Sequence, residues 1–355
     1  MADIPKYNGT VHPEEWVKNV QAKCLLNNLR QEKDVLKMCK LNIALSISFP
    51  NEVNTLNELV KALKEHSTYD IYKNGCKEKL DQMTFEGGEG GDTTQFLADF
   101  RSLCDFAEIN NPQEIKNRLL RTYSSNEFFK NEFSRRITGV TNIDEIFKLY
   151  SDVVSDSSRV IKYGPEYLIA IKHRETGKYL SSRELNYATG SKRQVVYAGE
   201  KILNENAWWY ATCENPIPQK KPFQENKVLY DDVVYLTHNK TKATISFSDF
   251  YRSPKTSYAE VHCFAYAFAN LRFVKTDYTN ENNKTPYLKA RDRVYIKTEN
   301  EYILRSQDVT FDVEENPDTD KPDNKNNNSR THTLQEVVGH KERVGKDDEW
   351  FIEKK

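Results

Sequence analysis

His173 and His238 are the residues best placed by type and spacing to do chemistry, because each closes a similar apolar stretch. Two imidazoles in equivalent places suit a metal or a shared ligand. Internal duplication also copies structural residues, and that favours a histidine that packs and hydrogen-bonds at the base of its own hairpin. His262 and His340 have no partner at a useful spacing. The carboxylate pairs Asp231-Asp232, Glu314-Glu315 and Asp347-Asp348 fall in turn-like sequence and read as solvated. No two of the six cysteines have Cys-x2-Cys spacing, so no zinc site is expected and buried, reduced thiols are. Trp208, Trp209 and Trp350 read as core rather than as a sugar-stacking platform. Nucleophile, base and orienter are not found together. The chain is therefore expected to be no enzyme and to need no cofactor or metal.

Binding is the remaining chemistry. Lys172, Arg174, Lys178, Arg183, Lys240, Lys242, Arg291 and Arg305 lie near the hairpins described next and are the candidate ligand residues. Arginine suits bidentate contact with phosphate. This supplies the alternative to a protein-binding role: a sensor or carrier of an anionic, inositol-phosphate-like or glycan ligand.

The elements that must position these groups repeat three times between about Tyr163 and the C-terminus. Leu168–His173, Val233–His238 and Arg293–Thr298 are apolar strands, each followed by a polar turn and a second strand. Ile171 precedes Leu236 by 65 residues, and Leu236 precedes Ile296 by 60. A third strand follows in each copy, at Gln194–Tyr197, Ala259–Cys263 and Leu334–Val338. A closing strand with large side chains ends each, at Ala207–Tyr210, Leu271–Val274 and Glu349–Ile352. Four strands cannot bury an apolar face alone, but three such units sharing a core can. The expected fold is a β-trefoil.

These residues resemble the MIR domain. Copy one has His173, Thr176, Tyr179-Leu180-Ser181-Ser182, Gln194 and Trp208 or Trp209. Copy two has Tyr235-Leu236-Thr237-His238, Thr241 and Glu260-Val261, with Phe273 where tryptophan is usual. Copy three has Val294-Tyr295-Ile296, Tyr302-Ile303, Glu336-Val337 and Trp350, with Thr298 in place of histidine. The family includes ligand-binding regions of intracellular calcium channels and non-catalytic modules of protein mannosyltransferases. The resemblance implies a module that binds a protein or a small polar ligand.

Residues 1–150 read as all-α. Pro13 with Glu14 and Glu15 begins a helix whose face holds Trp16, Val20 and Cys24. Val35, Cys39, Ile43 and Ile47, spaced four apart, predict a second helix ending near Phe49-Pro50. Capping signals at Thr55–Glu58, Asp92–Gln95, Asn111–Glu114 and Ser124–Glu127 start later helices. The run Gly87-Gly88-Glu89-Gly90-Gly91 lacks the features of a phosphate loop. Tyr7-Asn8-Gly9, Pro13–Trp16, Leu80–Met83, Thr94–Leu103 and Leu119-Leu120 resemble the capsid domain of gypsy-type retrotransposon Gag proteins. That resemblance implies self-association into a homo-oligomer. No zinc knuckle or protease motif accompanies it. Trp16 is read chiefly as core and otherwise as an interaction surface.

The whole is thus expected to be multidomain: a capsid-like helical bundle at 1–150, a linker at 151–162 and a trefoil at 163–355. Residues 312–330, acidic and Asn-rich, are expected to form a disordered excursion. Net charge is −1. Residues 1–160 carry 21 basic and 24 acidic side chains and the remainder 31 and 29, so neither part offers the basic excess of a nucleic-acid binder. No signal peptide and no apolar run of membrane-spanning length is seen, and a cytoplasmic location is expected.

Overall fold

The computed structural model describes residues 4–50, 52–87, 91–213, 226–265, 269–276, 285–315 and 330–355. Two units emerge, Met1–Ser155 and Asp156–Lys355.

Among the described residues the first unit is built from helices. They are α1 (Pro13–Leu26), α2 (Glu32–Leu41), α3 (Leu56–Lys64), α4 (Ser67–Gln82), α5 (Thr93–Phe106), α6 (Pro112–Thr122), α7 (Glu127–Arg136) and α8 (Ile143–Arg159). Short polar side chains satisfy backbone N–H groups at their starts. Thr55 accepts from the Glu58 N–H, Asp92 from Thr94 and Gln95, Asn111 from Gln113 and Glu114, and Asn126 from Phe129. Tyr7, Trp16, Val20, Cys24, Leu59 and Leu63 lie in one buried cluster.

Two expectations, and the alternative reading of Trp16 as an interaction surface, need correction here. α2 stops at Leu41, although Ile43 and Ile47 continue its four-residue spacing and are buried. Backbone pairing with Tyr7 takes over: the Tyr7 N–H donates to Asn42 and the Ala44 N–H to Tyr7. The polar stretch at 151–162 is not a loop, because α8 runs on to Arg159. Ile146, Tyr150 and Val153 form one buried stripe that carries the helix through its serines and aspartates. Trp16 is 1% exposed, its indole N–H donating to the Pro5 carbonyl at 2.8 Å, so it presents no surface. Of the glycine run, residues 88–90 lie outside the described residues.

Among the described residues the second unit is an antiparallel sheet of twelve strands. Copy one contributes β1 (Ile169–His173), β2 (Leu180–Asn186), β3 (Gln194–Ala198) and β4 (Trp209–Thr212). Copy two contributes β5 (Tyr235–His238), β6 (Thr244–Arg252), β7 (Ala259–Phe264) and β8 (Leu271–Lys275). Copy three contributes β9 (Arg293–Thr298), β10 (Ile303–Glu314), β11 (Thr331–His340) and β12 (Trp350–Lys354). Closing strands pair with the next copy's first strand: β4 with β5, β8 with β9, and β12 with β1. The third strands β3, β7 and β11 pair with one another. A backbone ring completes the threefold relation. Ile161 donates to Leu288, Leu288 to Val228 and Val228 to Ile161, each at 2.9 Å. The arrangement is trefoil-like, and Ile171, Leu236 and Ile296 lie together in its core.

Copy three departs from the others by its long hairpin. Asp312, Val313 and Glu314, expected to be disordered, extend β10 and pair with Thr333, His332 and Thr331. Val313 and Phe311 are buried against Tyr187, Val195 and Leu334, which accounts for the extension. Residues 316–329 of the expected excursion lie outside the described residues.

Candidate functional site: the third junction

Where one copy's closing strand meets the next copy's first strand, the register places His173 opposite Trp350 and His238 opposite Trp209. Each imidazole packs on its tryptophan, with ring centroids 4.8 Å and 5.0 Å apart. Both histidines are fully buried. Nε2 of His173 lies 2.9 Å from the Asp347 carbonyl and that of His238 lies 3.1 Å from the Asn206 carbonyl. Nδ1 faces the backbone N–H and the hydroxyl of Thr176 or Thr241. A carbonyl can only accept, so the proton sits on Nε2 and Nδ1 accepts. The rings are locked as neutral plugs. Burial pushes the His238 pKa down to about 4 and lowers that of His173.

The third junction has the same register and different residues. Thr298 stands opposite Leu271, so both rings of the plug are lost. The Thr298 hydroxyl accepts from the Tyr302 N–H, a local duty that Nδ1 performs in the other copies. A cleft of about 190 Å³ lies here, lined by Ser246, Asp249, Asn270, Thr298, Glu299 and Tyr302, with Phe247 stacked 6.5 Å from Tyr302. Phe247 occupies the place of Ser182 and Ser306, as its partner Val261 corresponds to Val196 and Val337. Gly339 makes room for it, since a Cβ there would come within 2.5 Å of the Phe247 ring. Asn270 donates to Glu299 at 2.7 Å, and the Glu299 N–H to the Asn270 carbonyl at 3.1 Å. Among the described residues no lysine or arginine lines the cleft. Lys341 lies over the Tyr302 ring at 4.2 Å.

No family model and no curated protein matches the chain. Among solved structures it is similar to an SDF2-like protein from Arabidopsis thaliana, with 20% identity and TM-score 0.40, over 54% of this chain and 94% of that one. It is also similar to a Caenorhabditis elegans protein of unknown function, with 14% identity and TM-score 0.38, over 54% and 94%. A third is the S. cerevisiae protein O-mannosyltransferase Pmt1-Pmt2 complex bound to the sugar donor, with 16% identity and TM-score 0.39, over 74% of this chain and 44% of that one. At these values the likeness says nothing about chemistry.

The eight basic candidates are placed elsewhere, and several are already engaged. Arg174 binds Glu349 at 2.5 Å, Lys240 pairs with Glu205, and Lys172 lies 3.9 Å from Glu353 over the Tyr179 ring. Arg305 is 7% exposed and grips Asp348 through two nitrogens at 2.7 and 3.2 Å, with Glu342 at 2.9 Å. Such a buried, doubly paired guanidinium is structural, which corrects its assignment as a ligand residue. Lys242 reaches Asn239, Arg183 stacks over Tyr197, and Arg291 occupies a left-handed turn whose N–H donates to Ile352. Lys178 is half-buried in the first hairpin turn.

Two carboxylates read as solvated are engaged, one of them fully buried. Asp348 is fully buried and also binds His340 at 2.8 Å. Burial would raise its pKa, but hydrogen bonds from His340 and Arg305 hold it at about 2. Asp232 accepts from the Leu229 N–H and the Tyr163 hydroxyl. His262, which has no partner at a useful sequence spacing, lies 3.2 Å from Glu260 and 2.8 Å from Arg193. Burial pushes the thiols of Cys39, Cys104 and Cys263 up to about 12, which suits no nucleophile. Among the described residues no cluster of His, Cys, Asp and Glu could hold a metal ion, and no helix is long and apolar enough to cross a membrane.

The sequence named Thr298 and Tyr302 as part of the copy-three pattern but marked none of the cleft's residues as a ligand contact. The signal was present in Thr298, the copy-three departure from histidine. It needed the matching departure of copy two, which the register assigns to Leu271 rather than to Phe273. It likewise aligns Gln194 with Gln335 rather than Glu336, and Trp209 rather than Trp208 with Trp350.

Proposed function

We propose that this chain is a non-enzymatic binding protein whose trefoil-like unit, resembling the MIR domain, takes a polar ligand at the third junction. One observation carries the reading. Three junctions share one backbone register; two are filled by a histidine on a tryptophan, while the third has Thr298 and Leu271 with a cleft beside them. Polar groups around a concavity are what a small site needs to orient a ligand. Among the described residues the cleft lining holds no histidine or lysine to serve as a base, which supports binding over catalysis.

The helical unit is proposed to self-associate in a cytoplasmic setting. Its resemblance to capsid domains supports this, as do Leu25, Leu26, Leu41 and Leu45, all more than half exposed. Sedimentation that stays monomeric at rising concentration would refute it.

Thr298→His tests the site by restoring one ring of the plug. Small polar ligands and short peptides are screened by thermal shift against the full chain. A ligand at about one hundred times its Kd adds about 2.7 kcal/mol of stability to the wild type, and the variant should lose that gain. If no ligand class separates the two proteins, the cleft is not the binding site.

A further inference from the structure

We infer that the third junction recognises a cationic head group, an ammonium or a guanidinium. This rests on the cleft being a binding site and adds the class of its ligand. The lining is rich in acceptors: the carboxylates of Asp249 and Glu299, the side-chain carbonyls of Asn270 and Asn300, and the hydroxyls of Ser246 and Thr298. Among the described residues its lining holds two carboxylates and no lysine or arginine, which disfavours a phosphate or sulfate even with Lys341 over the Tyr302 ring.

The aromatic groups favour the same chemistry. Phe247 and Tyr302 stack at the cleft with their planes 28° apart. Aromatic faces attract cations, and the Lys341 ammonium already lies 4.2 Å from the Tyr302 centroid. A cleft of about 190 Å³ has the room of about six waters, enough for one side-chain head group. Neither carboxylate is committed to a buried cation: Asp249 is exposed beside the Tyr302 hydroxyl, and Glu299 is exposed and held by an amide.

The source of the cation is also indicated. Phe250 follows Asp249 in the chain and is 90% exposed, and Tyr251 is 42% exposed. The Ser248 hydroxyl accepts the N–H groups of both, which fixes this bulged turn at the end of β6. An exposed aromatic pair next to a cation-accepting cleft suits a lysine or arginine side chain carried by a polypeptide, with its flanking residues against the aromatics.

The test uses the full chain and fluorescent peptides with the same flanks around a central Lys, Arg, Gln or Glu. Free arginine, spermidine, mannose and inositol hexakisphosphate form the second arm. The Lys or Arg peptides should bind, weaken as salt is raised, and not bind Thr298→His. Asp249→Asn with Glu299→Gln changes only exposed carboxylates and guards against misfolding of the histidine variant. Each neutralisation should weaken binding about three- to tenfold. Free arginine competing as well as the peptides would place recognition in the head group and remove the part assigned to Phe250 and Tyr251. Glu peptides, mannose or the inositol phosphate binding in a Thr298-dependent way would overturn the cationic assignment while leaving the site intact. Binding of nothing that Thr298→His abolishes would overturn the site as well.

Discussion

Acid should loosen the second junction through His238. The folded chain holds this imidazole neutral, with a pKa of about 4 caused chiefly by burial. The unfolded chain returns it to about 6.5. A histidine whose pKa is lower when folded takes up its proton more readily once unfolded. Its contribution is intact above about pH 6.5 and is lost as the pH falls towards about 4. From about pH 7 to about pH 4.5 the loss comes to about 2 kcal/mol. His173 shifts in the same direction and adds to the slope. Asp348, held at about 2, loses its stabilising contribution only at more acid pH, outside this window. The perturbation is His238→Gln. The assay is urea unfolding across the window, followed by hydrogen exchange in peptides covering β4 and β5. The variant starts less stable because its ring no longer fills the space beside Trp209, so the comparison is of slopes. Its pH dependence should be flatter than wild type by about 2 kcal/mol over the window. Equal slopes would refute the neutral plug.

Trp16→Ala should cost roughly 3–5 kcal/mol, because a fully buried indole is removed. The urea midpoint of the first unit reports that cost. Sedimentation under native conditions should match wild type, and a shifted mass with an unchanged midpoint would restore Trp16 as an interface residue. Arg305→Met should cost roughly 3–5 kcal/mol, since it leaves the Asp348 carboxylate buried without its guanidinium. Denaturant midpoints measure this, and a neutral effect would show that His340 and the Gly345 N–H suffice for Asp348.

Much of the fold could be read directly, because it follows local rules. Asp92 and Asn111 cap helices as short polar residues before an apolar stripe do, and the three hairpins carry the strand period. Ile43 and Ile47 misled because a four-residue spacing marks burial, and burial in a turn that pairs with Tyr7 gives the same spacing as a helix. Asp348 and Arg305 misled because charge was taken as exposure, whereas each supplies the other's counter-ion inside the protein. The cleft stayed hidden for a different reason. It lies beside two departures from the histidine–tryptophan pattern, Thr298, which lines it, and Leu271, and these face each other only through cross-strand register. Neither residue is remarkable alone, and the sequence places them 27 positions apart in different copies.

The pairing of β1 with β12 has a consequence for biosynthesis. Five residues of β1 find their partners at Trp350–Lys354, the far end of the same unit. A ribosome adding about 5–20 residues per second needs roughly 10–40 s to reach that strand after making β1. Throughout that interval the side of β1 that will meet β12 is an open edge, with apolar Ile169 and Ile171 in it. Nascent chains of this protein should therefore be clients of holding chaperones until Trp350–Lys354 has been made, and a stall before Trp350 should leave a species that captures strands from its neighbours.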